Sequence, residues 1–290
     1  MPPLTKILLP VDFSERCLGA ARYAGALASH FGAEVILAHV VEPVRYEFSS
    51  LELCGTVLAD LAANRAAQAK RQLDAFLAEE LRSLPTRRVL LEGDPAQKIV
   101  ACAHAEQAGL IALPTHGYGP FRRFILGSVT AKVLHDADCP VLTGVHLEEA
   151  PAAASIAFRT ILCAVDLGPQ SRQALQWAAQ LAADFKARLL LVHAYPCLEA
   201  RPGEHFDREV NAGLARTASQ ELEKLQQEEG VEAESLVLCG DPPKVVCQCA
   251  RQRLADLLVI GRGSAAGIFG RLRTNAYAII RESPCPVVSV

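Results

Sequence analysis

One pattern, repeated once at long range, dominates this chain. Asp12, Ala20, Ala24, Leu27, Ala28, Phe31 and His39 recur as Asp166, Ala174, Ala178, Leu181, Ala182, Phe185 and His193, each pair 154 residues apart. Further along, Gly93-Asp94-Pro95 returns as Gly240-Asp241-Pro242 at an offset of 147, and Cys139-Pro140-Val141 as Cys285-Pro286-Val287 at 146. Solenoid units run about 20–50 residues, so a repeat of this length is a duplicated domain. The 290 residues suffice for about two ordinary domains. Each half is large enough to bury a core without disulfides or metal. A residue kept in one copy and lost in the other points to function.

Each half alternates strand and helix. Lys6 to Val11 is an apolar run of strand length, suited to burial on both faces. Ser14 is placed to cap the helix that follows, whose residues Ala20, Ala24, Leu27, Ala28 and Phe31 form one stripe. Gly32 stops it. Strands are then expected at 35–41, 87–91, 110–113 and 140–145, and helices at 56–84, 95–107 and 127–135. A surface loop is expected from Tyr46 to Gly55. The second half predicts strands near 160–165, 188–193, 234–238, 256–260 and 286–290, with helices near 170–185, 205–229, 243–253 and 274–282. Both Gly-Asp-Pro sequences read as helix starts, with the aspartate as cap and proline in the first turn. This order implies α/β domains, each a parallel sheet with helices on both faces. Domain 1 is expected over 1–147, a small, polar, Pro-containing linker over 148–158, and domain 2 over 159–290. The apolar last strands need partners, and two copies in one molecule suggest an internal pseudo-dimer.

A net charge of −3 gives no electrostatic reason to expect nucleic acid or an anionic membrane as partner. No run approaches the roughly 18 apolar residues of a spanning helix, and the N-terminal apolar run is too short for a secretory core. The expectation is a cytoplasmic protein. Ten cysteines lack finger-like spacing and read as reduced, small hydrophobes. Cys247 and Cys249 stand two apart in a predicted helix and point to different faces.

In an open parallel sheet, ligands sit beyond the carboxyl ends of the strands, where connections diverge. Asp12 follows the first strand there, and Pro114-Thr115-His116-Gly117 follows the fourth. That loop continues for nine residues, Tyr118 to Leu126, and re-enters a helix at Gly127-Ser128-Val129. Glycines at a helix N-terminus let backbone amides approach an anion, with the dipole adding attraction. Asp12 also fits a simple turn cap. Arg122, Arg123, Arg262, Arg271 and Arg273 fit solvated surface as well as phosphate contact. His39 and His193 read as structural groups at strand ends.

His-Gly, nine residues, then Gly-Ser-Val resembles the G-x-x-G-x9-G-[S/T] loop of the universal stress protein family. Val11-Asp12-Phe13-Ser14, His39-Val40-Val41 and Cys139-Pro140-Val141-Leu142 resemble that family too, and the likeness covers nearly the whole chain, twice. It implies two Rossmann-like (adenine nucleotide alpha hydrolase-like) domains, each a five-stranded parallel sheet in the order 3-2-1-4-5. It further implies an ATP or related adenine nucleotide site, with or without Mg. Asp12 and the backbone at Val40 would hold adenine, His116 and Gly117 would lie against ribose, and Gly127, Ser128 and Val129 would hold phosphates. Pro114 stands where the family has its first loop glycine, and proline removes an N–H and fixes φ.

The second copy departs further. Gly261 is kept, but Gly263 and Ser264 replace the histidine and second glycine. Counting forward nine residues puts Thr274-Asn275, and counting back from Cys285 puts Arg273-Thr274, where Gly-Ser belongs. A side chain then stands where main chain should meet phosphate, so the second site is expected to be poor or dead for triphosphate. There is no phosphate-loop lysine motif, no nucleophile elbow and no zinc-ligand helix. The leading expectation is a stress-response regulator that binds nucleotide in domain 1, with hydrolysis slow or absent; the internal pseudo-dimer leaves a homodimer of whole chains open. An interaction module that has lost nucleotide binding, and a thiol redox sensor, are the alternatives.

Overall fold

The computed structural model describes residues 4–43, 55–115, 126–144, 150–196, 205–262 and 274–290. The chain divides into two compact units, one containing Pro2–Val141 and the other Ala157–Val290. The N-terminal half runs β1 (Lys6–Pro10), α1 (Arg16–Phe31), β2 (Glu34–Val41), α2 (Gly55–Ala75), β3 (Thr86–Glu92), α3 (Pro95–Glu106), β4 (Leu110–Ala112), α4 (Ser128–Asp136) and β5 (Val141–Thr143). The C-terminal half repeats it as β6 (Thr160–Ala164), α5 (Ser171–Phe185), β7 (Arg188–Tyr195), α6 (His205–Glu229), β8 (Glu234–Cys239), α7 (Pro242–Gln252), β9 (Leu257–Ile260), α8 (Thr274–Glu282) and β10 (Val287–Ser289). Strands lie in the order β3-β2-β1-β4-β5 in the first half and β8-β7-β6-β9-β10 in the second. β1 pairs in parallel with β2 and β4, and β6 likewise with β7 and β9. Ile7, Leu8, Leu9, Val35, Ile36 and Leu37 have no exposed surface. Helices cover both faces of these strands, which is why their sequences show no polar alternation.

Local chemistry sets the ends of the elements. Gly32 ends α1 at φ 65 and donates its N–H to Ala28 O. Asp94 accepts from Gln97 N at 3.1 Å and caps α3, with Pro95 in its first turn. Gly93 and Gly240 sit at φ 138 and 145; a side chain is strained in that conformation, so glycine is required before both caps. Asp241 holds the cap position of α7 without the side-chain bond that Asp94 makes, and two further expectations need correction. Ser14 does not cap α1: Glu15 holds the cap position without a side-chain bond, and the Ser14 hydroxyl donates to Asp12 instead. The helix expected over 56–84 ends at Ala75. Leu77 turns left-handed at φ 53, and both Leu77 and Leu81 are buried. Arg88 of β3 donates to Leu73 O and Phe76 O, satisfying carbonyls released at that end. The loop expected from Tyr46 lies outside the described residues up to Gly55, which opens α2. Within 148–158, Ala150 is buried and accepts from Arg22 Nη1, and Ala153–Ser155 forms one 3-10 turn.

At the amino ends of the first-half strands, Glu106 at the end of α3 accepts from Arg87 Nη1 and Nη2 at 3.1 and 2.6 Å and from Lys6 Nζ at 3.3 Å. Arg87 Nε also donates to Glu34 at 3.1 Å. The cluster ties β1, β2, β3 and α3 together at the end of the sheet opposite the Asp12 loop. The Arg87 hydrogen bonds above all hold the Glu106 carboxyl below its ordinary 4.5. A folded pKa below the unfolded one gives stability that is complete above the unfolded value and is lost as pH falls through the folded one. The urea midpoint of the native protein is therefore expected to fall more steeply below about pH 4.5 than that of Glu106→Gln. Parallel slopes for the two proteins would refute this.

Candidate functional site

β1 lies between β2 and β4, so the connections after β1 and β4 leave a crevice beyond their carboxyl ends. A cavity of about 460 Å³ occupies it. Val11 and Asp12 line it from β1, Val40 and Glu42 from β2, Leu113 and Pro114 from β4, and Gly127 to Thr130 from the start of α4. The described residues of the nucleotide set expected from sequence are thus brought to one place. His116 and Gly117, with Arg122 and Arg123, lie outside the described residues.

Asp12 builds its own turn. Its Oδ1 accepts from Ser14 N at 3.0 Å, Ser14 Oγ at 2.6 Å and Cys17 Sγ at 3.1 Å. Phe13 between them is left-handed at φ 64, a conformation costing a non-glycine residue roughly 1 kcal/mol. Asp166 does the same, accepting from Gly168 N and Ser171 Oγ, both at 2.9 Å, around Leu167 at φ 58. The turn-capping role of Asp12 is therefore real, and it coexists with a place on the cavity wall. Burial, then the Asp12 carboxylate, pushes the Cys17 thiol up to about 12, so it stays a neutral donor.

His39 Nδ1 bonds Val11 O at 2.8 Å, and His193 Nδ1 bonds Val165 O at 2.9 Å. These bonds join the second strand of each half to the loop after the first. Phe13 lies against the His39 ring at 4.2 Å between centroids, with Phe76 edge-on to Phe13 at 5.4 Å. The left-handed turn thus directs an aromatic ring over the histidine.

Pro114 is buried and has no N–H to offer. Its carbonyl accepts from Thr130 Oγ1 at 3.0 Å, and Thr115 O accepts from Gly127 N at 2.8 Å. These two bonds clamp the base of the loop to α4. Gly127 holds the cap position of α4 at φ −61 and ψ 148, with no side chain capping the helix. The first amides of α4 thus stand at the cavity with the helix dipole behind them. This arrangement suits a ligand with an apolar ring at the Val40 side and an anionic tail at the Ser128 side.

In the second half the corresponding cavity is about 160 Å³. Pro169 and Gln170, just before α5, help to line it, and a Cβ on Gly261 would lie 3.5 Å from Gln170 Cβ. α8 begins at Thr274 as α4 begins at Ser128. That matches the 146-residue offset of the Cys-Pro-Val sequences, which in sequence pairs Arg273 with Gly127. Asn275 then lines the smaller cavity where Val129 lines the larger.

Cys17, Glu42, Ile99 and Thr130 also line the first cavity, and sequence reasoning did not single them out. For Cys17 a signal existed: Ser171 stands 154 residues on, and both donate to the aspartate five residues earlier. Cys17, Cys102, Cys139, Cys163, Cys247, Cys249 and Cys285 are not disulfide-bonded. Burial pushes Cys163 and Cys285 up to about 12 and Cys247 to about 11. The expectation of reduced cysteines fails at Cys239, which is disulfide-bonded; it stands at the end of β8, where burial is only partial. Among the described residues no group of His, Cys, Asp and Glu is placed to hold a metal ion, and no helix is long and apolar enough to cross a membrane.

A family model described as the universal stress protein family matches residues 3–143 and again 157–290. A universal stress protein of Mycolicibacterium smegmatis is 24% identical over 288 residues, covering 98% of this chain and 96% of that protein. One from Methanocaldococcus jannaschii is 34% identical over 137 residues, 47% of this chain and 79% of its own length. The crystal structure of a universal stress protein from Archaeoglobus fulgidus matches with a TM-score of 0.65 at 22% identity, covering 98% of this chain and 95% of that one, a likeness of fold.

Proposed function

This chain belongs to the universal stress protein family, and we propose that its N-terminal half binds an adenine nucleotide, ATP or a close relative, with a regulatory output in a cytoplasmic stress response. One observation carries the reading: a cavity of about 460 Å³ gathers Asp12, Val40, Pro114, Gly127, Ser128 and Val129 at the carboxyl end of the sheet. The purine would lie between Asp12 and Val40, and the phosphates would reach the uncapped start of α4. The groups best placed for chemistry are already engaged. Asp12 Oδ1 holds the turn, His39 Nδ1 holds Val11 O, and Cys17 is a neutral thiol. These engagements favour binding over turnover. The crowded second cavity supports a C-terminal half that does not take the same ligand.

Denaturing the purified protein and identifying what it releases tests this. Adenine nucleotide at about one per chain is the expected result. A second reading, an interaction module without nucleotide, is favoured by buried Pro114, which lacks the N–H of a loop glycine. An empty protein that ignores added ATP and AMP, and binds neither after Pro114→Gly, would establish that reading and overturn the first.

A further inference from the structure

Glu42 follows β2 directly, and its side chain stands where cavities meet. It lines the 460 Å³ cavity, a neighbouring one of about 290 Å³, and a third on its other side that it shares with Arg65 and Glu92. Pro95, Ser128 and Val129 line both as well, so a ligand tail passing the start of α4 enters the second space beside Glu42. Asp94 and Lys132 face that second space too. Lys132 Nζ is 3.5 Å from Asp94 Oδ2, so its charge is already matched. The stem of Lys98 lies over Gly93, and Lys98 does not line either cavity. Among the described residues Glu42 has no hydrogen-bond or ion-pair partner. Of the described charges around this tail space, two are carboxylates and one is an ammonium, and the unmatched one is negative.

We propose that Glu42 sets how many phosphates the site accepts, favouring a nucleoside monophosphate over the triphosphate. The inference rests on the adenine-nucleotide reading of this site. A first phosphate at the start of α4 gains from the free amides and the helix dipole. Each further phosphate adds negative charge on the Glu42 side of the cavity, and although this exposed carboxylate is partly screened by water and salt, like charges on one cavity wall repel. Glu42 has no counterpart in the second half, where Pro196 stands 154 residues on. The filter therefore belongs to the half with the larger cavity.

Calorimetric titration with adenosine, AMP and ATP in EDTA, on native protein and on Glu42→Gln, tests this. The native protein should bind AMP about tenfold or more tightly than ATP. Glu42→Gln should close most of that gap by tightening ATP, with adenosine unchanged. Glu42→Lys should tighten ATP further. If ATP binds the native protein as tightly as AMP, or if the variants shift adenosine and ATP alike, the role of Glu42 is refuted while nucleotide binding stands. If no adenine ligand binds at all, both readings fall.

Discussion

Gly127→Leu is expected to weaken the proposed adenine-nucleotide binding by about a hundredfold or more and to leave the thermal midpoint close to native. The size of the effect follows from where main chain and side chain sit. Gly127 has φ −61 and ψ 148, values open to any L-residue, so the substitution strains no backbone. What glycine supplies here is space at the mouth of α4, where it lines the cavity beside Ser128 and Val129. A leucine would stand between a phosphate and the first amides, displacing the ligand from those donors. The bond from Gly127 N to Thr115 O, at 2.8 Å, uses only the backbone and survives. The C-terminal half already carries Arg273 at this point. Fluorescent-nucleotide titration and thermal melting of the same samples decide the matter. Undiminished binding by a folded variant would show that no ligand tail reaches α4.

Leu8→Ala has the largest expected effect on stability. Leu8 has no exposed surface and lies in β1, where it pairs with Ile36 of β2 and Ile111 of β4. Removing three buried carbons from a strand enclosed on both sides and both faces leaves a cavity that cannot collapse readily. The cost is about 3–4 kcal/mol, a large part of the roughly 5–15 kcal/mol that holds a domain folded. In urea the far-UV transition of the N-terminal unit should move down by about 2 M. Trp177, the only tryptophan, lies buried in α5 and reports the C-terminal unit by fluorescence. A far-UV shift under about half a molar would mean that β1 tolerates the loss, contrary to its enclosure.

Legibility along the chain tracks how local the deciding interaction is. The strands were readable because an apolar run enclosed on both faces has few other uses, and Gly32 and Asp94 were readable because a cap acts within one turn. The end of α2 was not. Leu77 turns left-handed against the helical preference of its neighbours, and the carbonyls freed there are met by Arg88, more than ten residues away on β3. The site divides in the same way. Asp12 and Gly127 drew attention by their places after a strand and before a helix, and Val40, Ser128 and Val129 through the family resemblance; all five line the cavity. Glu42 and Thr130 carried no motif, since their roles arise from which strand and helix they come to face. A second site poor for triphosphate was expected from the loop alone, while the approach of Gln170 to Gly261 was not.

The sequence by itself determined the duplication, the α/β class and the loops at the carboxyl ends of the strands, because periodicity, caps and motif spacing are written in neighbouring residues. Only the tertiary structure decided that Asp12 spends one oxygen on its own turn, that Glu42 lines adjoining cavities, and that the two crevices differ in volume. Those outcomes depend on distances between segments far apart in the chain, which strand order and packing set.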